Sequence, residues 1–66
     1  MQVTVNGESI ELAEGLSVGA LLAQYKLKPE GVVVELNLDV PAKAKYGELW
    51  LKAGDKVEIV KFMGGG

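Results

Sequence analysis

The residues of this chain that could do chemistry stand at its C-terminus. The chain ends in Gly64, Gly65 and Gly66, directly after a strand-like run over residues 57–63. Glycine has no side chain and adopts nearly any backbone angle, so three in succession form a thread that fits a narrow channel. The thread ends in a carboxylate that is ionised at neutral pH. This pattern indicates that the functional group is the C-terminus itself, presented to a partner enzyme. A disordered end and a leftover linker are the alternatives.

The composition removes most other kinds of chemistry. Among its 66 residues the chain has no cysteine and no histidine, which excludes disulfides, thiol nucleophiles and the usual zinc sites. Its side-chain hydroxyls, apart from the tyrosines, belong to Thr4, Ser9 and Ser17, and none has a candidate base beside it in the sequence. Histidine is also the commonest general base near neutral pH. We therefore expect that the chain is not a self-contained enzyme and binds no metal or cofactor.

The distribution of charge argues against two classes of partner. The net charge is −2, and all seven basic residues are lysines, scattered from Lys26 to Lys61. We therefore expect no binding to nucleic acid and no basic patch for a membrane. No apolar run approaches the ~20 residues of a membrane-spanning helix. Because Met1 leads directly into a strand pattern, we expect no signal peptide, and we expect a cytoplasmic protein that is a monomer when free.

Residues 1–12 have the pattern of a β-hairpin. Asn6-Gly7 is the preferred pair for a two-residue type I′ turn. Apolar and polar residues alternate on both sides of it, which specifies the register. Counting outward from the turn gives three facing pairs: Val5–Glu8, Val3–Ile10 and Met1–Leu12.

The next segment has the pattern of an amphipathic helix. Ser17 is a suitable N-cap, and Pro29 is expected to stop the helix. Between them, apolar residues recur at the i, i+3, i+4, i+7 spacing of one buried helix face. Those residues are Val18, Leu21, Leu22 and Tyr25.

The second half of the chain contains further strand patterns. Residues 32–36 form a β-branched run typical of a strand, and residues 57–62 alternate as a last strand should. Between them we expect a single helical turn over residues 42–46 and a short strand over residues 49–51. Alternation puts Val57 and Ile59 on the core face of the last strand.

These elements predict an α+β domain. One main helix and a mixed sheet of four or five strands would form two layers around one core. We expect the domain to cover residues 1–63 and to be followed by a flexible glycine tail, residues 64–66. A chain of this length has room for one small domain only.

Several segments together resemble the ThiS family, the sulfur-carrier proteins of thiamine biosynthesis. The resemblance covers essentially the whole chain. It implies the β-grasp or ubiquitin-like fold, in which the first and last strands run parallel in the middle of the sheet and the helix crosses one face. The segments that carry it are Val-Thr-Val-Asn-Gly at 3–7, Leu-Leu at 21–22, Gly-Asp-Lys-Val-Glu-Ile-Val at 54–60 and Lys-Phe-Met-Gly-Gly-Gly at 61–66.

The resemblance also implies a reaction at the C-terminus. In this family a ThiF- or MoeB-like adenylating enzyme uses ATP to adenylate the terminal glycine carboxylate. Sulfur from a cysteine persulfide then replaces the AMP and leaves a thiocarboxylate. That sulfur passes to a ThiG-like thiazole synthase. Carried over to this chain, Gly66 takes the sulfur, Gly64 and Gly65 are the thread, and ATP is used by the activating enzyme.

The chain departs from the family pattern at two places. Leu38 lies in a loop between the third and fourth strands, where a turn-forming residue is more usual. The run of three glycines also exceeds the minimal pair. Neither departure changes the reacting group.

Sequence leaves other functions open. A carrier for molybdopterin or for tRNA thiolation would share this fold and tail. A protein modifier would instead join Gly66 to a target lysine through an isopeptide bond. A ubiquitin-like interaction module with an inert tail is a third alternative, because a fold does not fix a function.

Strand alternation also predicts a docking surface beside the tail. Val60 and Phe62 fall on the face opposite the core if the last strand stays regular to its end. Val33 joins them because the resemblance places the third strand next to the last. With Met63 at the base of the tail, these residues form an apolar patch that we expect to dock onto partner enzymes. The alternative is that Phe62 folds back and caps the core.

Overall fold

The structure is a computed structural model that describes residues 1–62. Met63, predicted to be the last residue of the domain, lies outside the described residues, and so does the predicted flexible tail, residues 64–66. Two short 3-10 helices, Pro29–Gly31 and Lys43–Glu48, accompany the main elements. Those main elements are β1 (Gln2–Val5), β2 (Glu8–Glu11), α1 (Val18–Gln24), β3 (Val32–Leu36) and β4 (Lys56–Lys61).

The predicted hairpin is confirmed, including its register. β1 and β2 are antiparallel, and the facing pairs include Val5 with Glu8 and Val3 with Ile10. Asn6 and Gly7 have positive φ angles of 50° and 86°, as a type I′ turn requires at both central positions. The turn chemistry therefore decides which side chains of the hairpin face the core.

The sheet has the strand order β2-β1-β4-β3 within the described residues. β1 and β4 are parallel, and β3 and β4 are antiparallel. This is the mixed four-stranded sheet that the resemblance implies, with the first and last strands in the middle. β4 therefore has a hydrogen-bonded neighbour on each side.

Helix α1 begins as the sequence predicts. The Oγ of Ser17 accepts a hydrogen bond from the Ala20 N–H at 3.0 Å, which satisfies one of the free N–H groups of the first turn. Val18, Leu21 and Leu22 are fully buried against the sheet. The helix thus contributes three large apolar side chains to the core.

The end of α1 differs from the prediction. The helix stops at Gln24, because Lys26 adopts a left-handed φ of 60° that breaks the helical path before Pro29 is reached. Tyr25 is consequently the C-cap and is 42% exposed. Its assignment to the buried helix face was wrong, because a residue at a helix end no longer follows the spacing of the helix interior.

The short strand predicted over residues 49–51 is also absent from the sheet. Trp50 makes one isolated antiparallel bridge with Ser17. On either side of that bridge, Val18 N–H donates to Leu49 O at 2.9 Å and Leu51 N–H donates to Leu16 O at 2.8 Å. The segment joins the start of α1 rather than a strand. The helical turn expected just before it is present as the 3-10 helix Lys43–Glu48.

One core lies between α1 and one face of the sheet. Val57 and Ile59 of β4 are buried as predicted, and on β3 the buried side chains are Val32 and Val34. No helix in the described part of the chain has the length and apolar character needed to cross a bilayer. The buried apolar residues are Val3, Val5, Leu12, Val18, Leu21, Leu22, Val32, Val34, Tyr46, Leu51, Val57 and Ile59.

A buried carboxylate organises the approach to β4. Asp55 is 5% exposed, and its two oxygens accept hydrogen bonds from Asn37 Nδ2 at 3.0 Å and from the Lys52 N–H at 2.8 Å. The Oδ1 of Asn37 in turn accepts from the Lys56 N–H at 2.9 Å. Asp55 is therefore a structural turn residue, as its place in a Gly-Asp turn suggests. Each of its buried carboxylate oxygens has a hydrogen-bond donor, as buried polar groups require.

We expect Asp55→Ala to lower the free energy of unfolding by about 1–3 kcal/mol, because it leaves the Lys52 N–H and the Asn37 amide without their acceptor. Asp39→Ala is the matched control, since the Asp39 side chain is exposed and its loss should cost less than about 0.5 kcal/mol. Urea unfolding of both variants measures the difference. Equal effects would contradict the structural role of Asp55.

The loop after β3 contains a strained residue. Asn37 and Leu38 have φ angles of 51° and 76°, and Leu36 bridges to Asp39 directly across them. Asparagine tolerates the left-handed region, whereas leucine pays a steric cost there. The side chain of Leu38 is 90% exposed, so packing of this side chain does not offset the strain.

We expect Leu38→Gly to raise the free energy of unfolding by about 0.5–1 kcal/mol, because glycine adopts a positive φ without the steric penalty. Leu38→Ala keeps the Cβ that causes the strain and should leave stability nearly unchanged. Denaturant midpoints of the three proteins decide between these outcomes. A glycine variant no more stable than the alanine variant would contradict the assignment of strain at Leu38.

Candidate functional site: the end of β4 and its outer face

The C-terminal strand is held in place up to the last described residue. Lys61 faces Val32 as the final pair of the β3–β4 ladder. One residue further on, the Phe62 N–H donates to Gly31 O at 3.0 Å. The backbone is therefore hydrogen-bonded in place as far as Phe62. In sequence, four residues separate that point from the carboxylate of Gly66.

The two faces of β4 have different environments. Val57 and Ile59 are buried against the helix, as predicted, whereas Val60 is 58% exposed and Phe62 is 55% exposed. Strand alternation persists to the end of the strand, so Phe62 does not cap the core. The pair of exposed apolar side chains lies at the point where the chain continues towards the glycines.

Val33 lies directly opposite Val60 on β3 and is half-buried. In an antiparallel pair, side chains that face each other across two strands are about 4.5–5.5 Å apart at Cβ. Val33, Val60 and Phe62 therefore share the sheet face that α1 leaves uncovered, and we call these three residues the outer patch. Met63, the fourth residue of the predicted docking surface, lies outside the described residues.

Charged residues continue this face beyond the outer patch. Glu35 faces Glu58 in the next pair of the same alternation, and Lys56 precedes Glu58 on the same side of β4. Like charges placed directly opposite each other are unfavourable. A shallow groove of about 100 Å³ lies here and is lined by Glu35, Asn37, Leu38, Lys56 and Glu58.

Lys43 contacts the end of β4 from a distant part of the chain. Its Nζ donates to Pro29 O at 2.9 Å and to Val32 O, and it lies 5.5 Å from the centre of the Phe62 ring. In the sequence, Lys43 is one of seven scattered lysines and nothing sets it apart. No pattern in the sequence shows that a lysine in a 3-10 helix reaches a phenylalanine nineteen positions away.

A second groove of about 270 Å³ lies on the helix side of β4. It is bordered by residues at the end of α1 and by the turn residue Asn6, whose Oδ1 accepts from the Ile59 N–H at 2.7 Å. This contact continues the β1–β4 pairing beyond its last backbone pair. The lining residues are Asn6, Tyr25, Leu27, Ile59 and Lys61.

Both serine hydroxyls have structural roles here. Ser17 caps α1, and the Oγ of Ser9 donates to Gln2 Oε1 at 2.6 Å. Among residues 1–62, no three acidic side chains come close enough to hold a metal ion. The arrangement can present a chain end and an apolar face to another protein.

Comparison with known proteins gives one family. The ThiS family model matches residues 3–66, which include the glycine run. A crystal structure of the thiamine biosynthesis protein ThiS from Geobacter metallireducens superimposes with a TM-score of 0.84. It is 42% identical in sequence, and the match covers 100% of both chains.

Two curated relatives complete the comparison. The sulfur carrier protein ThiS of Bacillus subtilis is 36% identical over 63 residues, which are 94% of this chain and 96% of that protein. A thiazole synthase of Paramagnetospirillum magneticum is 38% identical over all 66 residues. The chain spans only 20% of the length of that synthase, so the similarity is confined to one segment of the larger protein.

The two faces of β4 predict opposite responses to one conservative change. Threonine keeps the shape and strand preference of valine but replaces a methyl group with a hydroxyl. At Val57, which is buried, we expect Val57→Thr to cost about 1–3 kcal/mol because the hydroxyl loses water. At Val60, which is exposed, Val60→Thr should change the free energy of unfolding by less than about 0.5 kcal/mol.

Urea unfolding of the two threonine variants makes this comparison with the same substitution three residues apart on one strand. If Val60→Thr destabilised the protein as much as Val57→Thr, Val60 would belong to the core, and the outer patch would not exist as a free surface.

Proposed function

This chain belongs to the ThiS family, and from that premise we propose that it is a sulfur carrier for the synthesis of the thiazole of thiamine. Gly66 is the group that carries the sulfur, as a C-terminal thiocarboxylate. The observation that carries this proposal is the extent of the family match, which runs through the glycine run to the last residue. The hydrogen-bonded backbone of Phe62, four residues before Gly66, agrees with it.

The reaction explains why the chain needs an enzyme as partner. An ionised carboxylate is a poor electrophile, because its charge is spread over both oxygens. One carboxylate oxygen of Gly66 attacks the α-phosphate of ATP, pyrophosphate leaves, and an acyl-adenylate forms. The terminal sulfur of a persulfide then displaces AMP to give an acyl disulfide. A thiol cleaves the S–S bond of that disulfide and releases the thiocarboxylate. Dividing a difficult step in this way is covalent catalysis.

The carrier contributes reach rather than catalytic groups. Residues 63–66 span at most about 14 Å when extended, a length that reaches into the interior of another protein. Gly64 and Gly65 have no side chains, so they pass where a larger residue would block the channel. Acid, base and ATP-binding groups all belong to the activating enzyme, and the chain takes part as its co-substrate in the cytoplasm.

Two partner enzymes follow from this reaction. A ThiF- or MoeB-like adenylating enzyme activates Gly66, and a persulfide on a donor protein supplies the sulfur. A thiazole synthase accepts it. The similarity of this chain to one segment of two proteins named thiazole synthase supports that acceptor, since a carrier segment and a synthase occur there in one polypeptide.

The outer patch is the docking surface for these partners, with Met63 as its continuation. Val60 and Phe62 lie at the exit of the chain, so a protein that encloses the glycines also covers them. Glu35 and Glu58 border the patch, and a basic side chain on the partner would relieve their mutual repulsion. Apolar contact at the centre with charge at the rim is typical of protein interfaces.

We expect sulfur loading to depend on the last two glycines. Deletion of Gly66, or Gly65→Leu, should abolish the oxygen-to-sulfur exchange at the C-terminus and leave the fold intact. Gly47→Ala is the matched control, because Gly47 has open space around its Cα and no positive φ. Intact mass after incubation with the adenylating enzyme, ATP and a persulfide donor measures the exchange. Normal sulfur loading of either tail variant would contradict the proposal.

The same mixture distinguishes the other functions. Conjugates on a denaturing gel would favour a protein modifier, and an unchanged mass would favour an interaction module with an inert tail. Sulfur loading followed by transfer to a molybdopterin or tRNA acceptor, but not to thiazole synthase, would assign the chain to another sulfur pathway.

For the docking surface, we expect Phe62→Ala and Val60→Thr to weaken binding to the adenylating enzyme by more than about 1 kcal/mol each, because buried apolar anchors dominate binding energy. Their stabilities should change little. Calorimetric titration, with Thr4→Ala as a control on the same sheet but on β1, measures the affinity. Unaltered affinity in both variants would remove the outer patch from the interface.

A further inference from the structure

Lys43 joins three segments that are far apart in sequence. It lies in the 3-10 helix Lys43–Glu48, yet its ammonium group contacts two carbonyls near the start of β3 and the ring of Phe62 at the end of β4. An ammonium group has three N–H donors. Two of them are used by Pro29 O and Val32 O, and the cation faces the negative surface of the aromatic ring.

These contacts surround a backbone hydrogen bond made by Phe62, the residue that follows β4. The Phe62 N–H donates to Gly31 O at 3.0 Å. The two carbonyls that Lys43 holds belong to Pro29 and Val32, which lie on either side of Gly31 in sequence. Lys43 therefore fixes the segment that contains the acceptor Gly31 through the backbone carbonyls of Pro29 and Val32, and it fixes the donor residue Phe62 through its ring.

The contacts of Lys43 limit how far the C-terminal carboxylate can lie from a fixed point of the domain. With Phe62 held, the carboxylate of Gly66 is at most about 14 Å from a fixed point. If the end of β4 were released back to Ile59, seven residues would follow the fixed point, and the limit would rise to about 25 Å. A larger range of positions lowers the fraction of encounters in which the carboxylate meets the active site.

We propose, on the basis of the proposed function, that Lys43 is a positioning residue for activation of the C-terminus. It holds Phe62 against the start of β3 and so sets the point and direction from which the glycine run enters the adenylating enzyme. Lys43 touches neither the reacting carboxylate nor ATP in this role. It acts through Phe62, which also belongs to the outer patch.

Two variants separate this role from simple stabilisation. Lys43→Met keeps an unbranched side chain of similar length but removes the cation and its donors. Lys43→Arg keeps a cation that can donate to carbonyls and stack on the ring. With the adenylating enzyme of the same organism, ATP–pyrophosphate exchange at varied carrier concentration gives KM and kcat.

We expect Lys43→Met to raise the KM for the carrier about three- to tenfold, because positioning before the chemical step is lost. The kcat should stay within about twofold. Lys43→Arg should restore most of the loss. A purely structural role would instead lower the midpoint of thermal unfolding and leave KM unchanged in the protein that remains folded.

The Phe62→Ala background provides the second test. If Lys43 acts through Phe62, adding Lys43→Met to Phe62→Ala should raise KM by less than twofold more. Hydrogen exchange supplies a readout on the free protein: the Phe62 amide should exchange at least about fivefold faster in Lys43→Met. The Val57 amide should be unaffected.

Adenylation of the wild-type chain and the KM of the variants separate failure of the proposed function from failure of the inference about Lys43. A wild-type chain that is not adenylated at all would contradict the proposed function and, with it, the role of Lys43. A wild-type chain that is adenylated, with an equal KM in Lys43→Met, would overturn only the inference about Lys43. Multiplying effects of Lys43→Met and Phe62→Ala would also overturn it, since they would show that the two residues act independently.

Discussion

The placement of Phe62 and of the outer patch depends on the pairing of β4 with a strand on each side. β1 runs parallel to it on one side, and Asn6 extends that pairing through its amide oxygen to the Ile59 N–H. β3 runs antiparallel to it on the other side along five residue pairs. Strands held in the middle of a sheet open last in a folded protein. The segment that precedes the glycine run therefore belongs to a strand that is paired on both sides.

Because side chains alternate along β4, its two faces have different roles. Every second residue of β4 contributes to the core, and the residues between them remain available to partners. A change on one face need not disturb the other, so binding and stability can vary separately along a single strand. In the proposed function, the folded domain of residues 1–62 is the base from which the terminal carboxylate enters another protein.

Much of the fold could be predicted from local chemistry. The Asn-Gly turn predicted the hairpin register, and Ser17 marked the start of α1. The errors occurred where tertiary contacts decide the backbone. The left-handed Lys26 ended the helix early, and the Trp50 segment paired with the start of α1 instead of joining the sheet. Neither outcome has a signature in the residues nearby.

The functional end could be predicted in part. The glycine run and the alternation of β4 are visible in the sequence, whereas the central position of β4 came only from resemblance to a known family. The contact of Lys43 with Phe62 was missed because it joins segments nineteen residues apart. Similarly, the strain at Leu38 follows from its positive φ, which only the structure gives, although leucine in that loop was already unusual.

The location of the sulfur within the loaded protein tests most directly whether Gly66 is its carrier. Trypsin cleavage after Lys61 releases the C-terminal peptide of residues 62–66, and tandem mass spectrometry locates the sulfur within it. If Gly66 carries the sulfur, the sulfur replaces an oxygen of the Gly66 carboxylate and no other peptide gains mass. Sulfur on any other residue, or a loaded protein whose C-terminal peptide is unchanged, would contradict it.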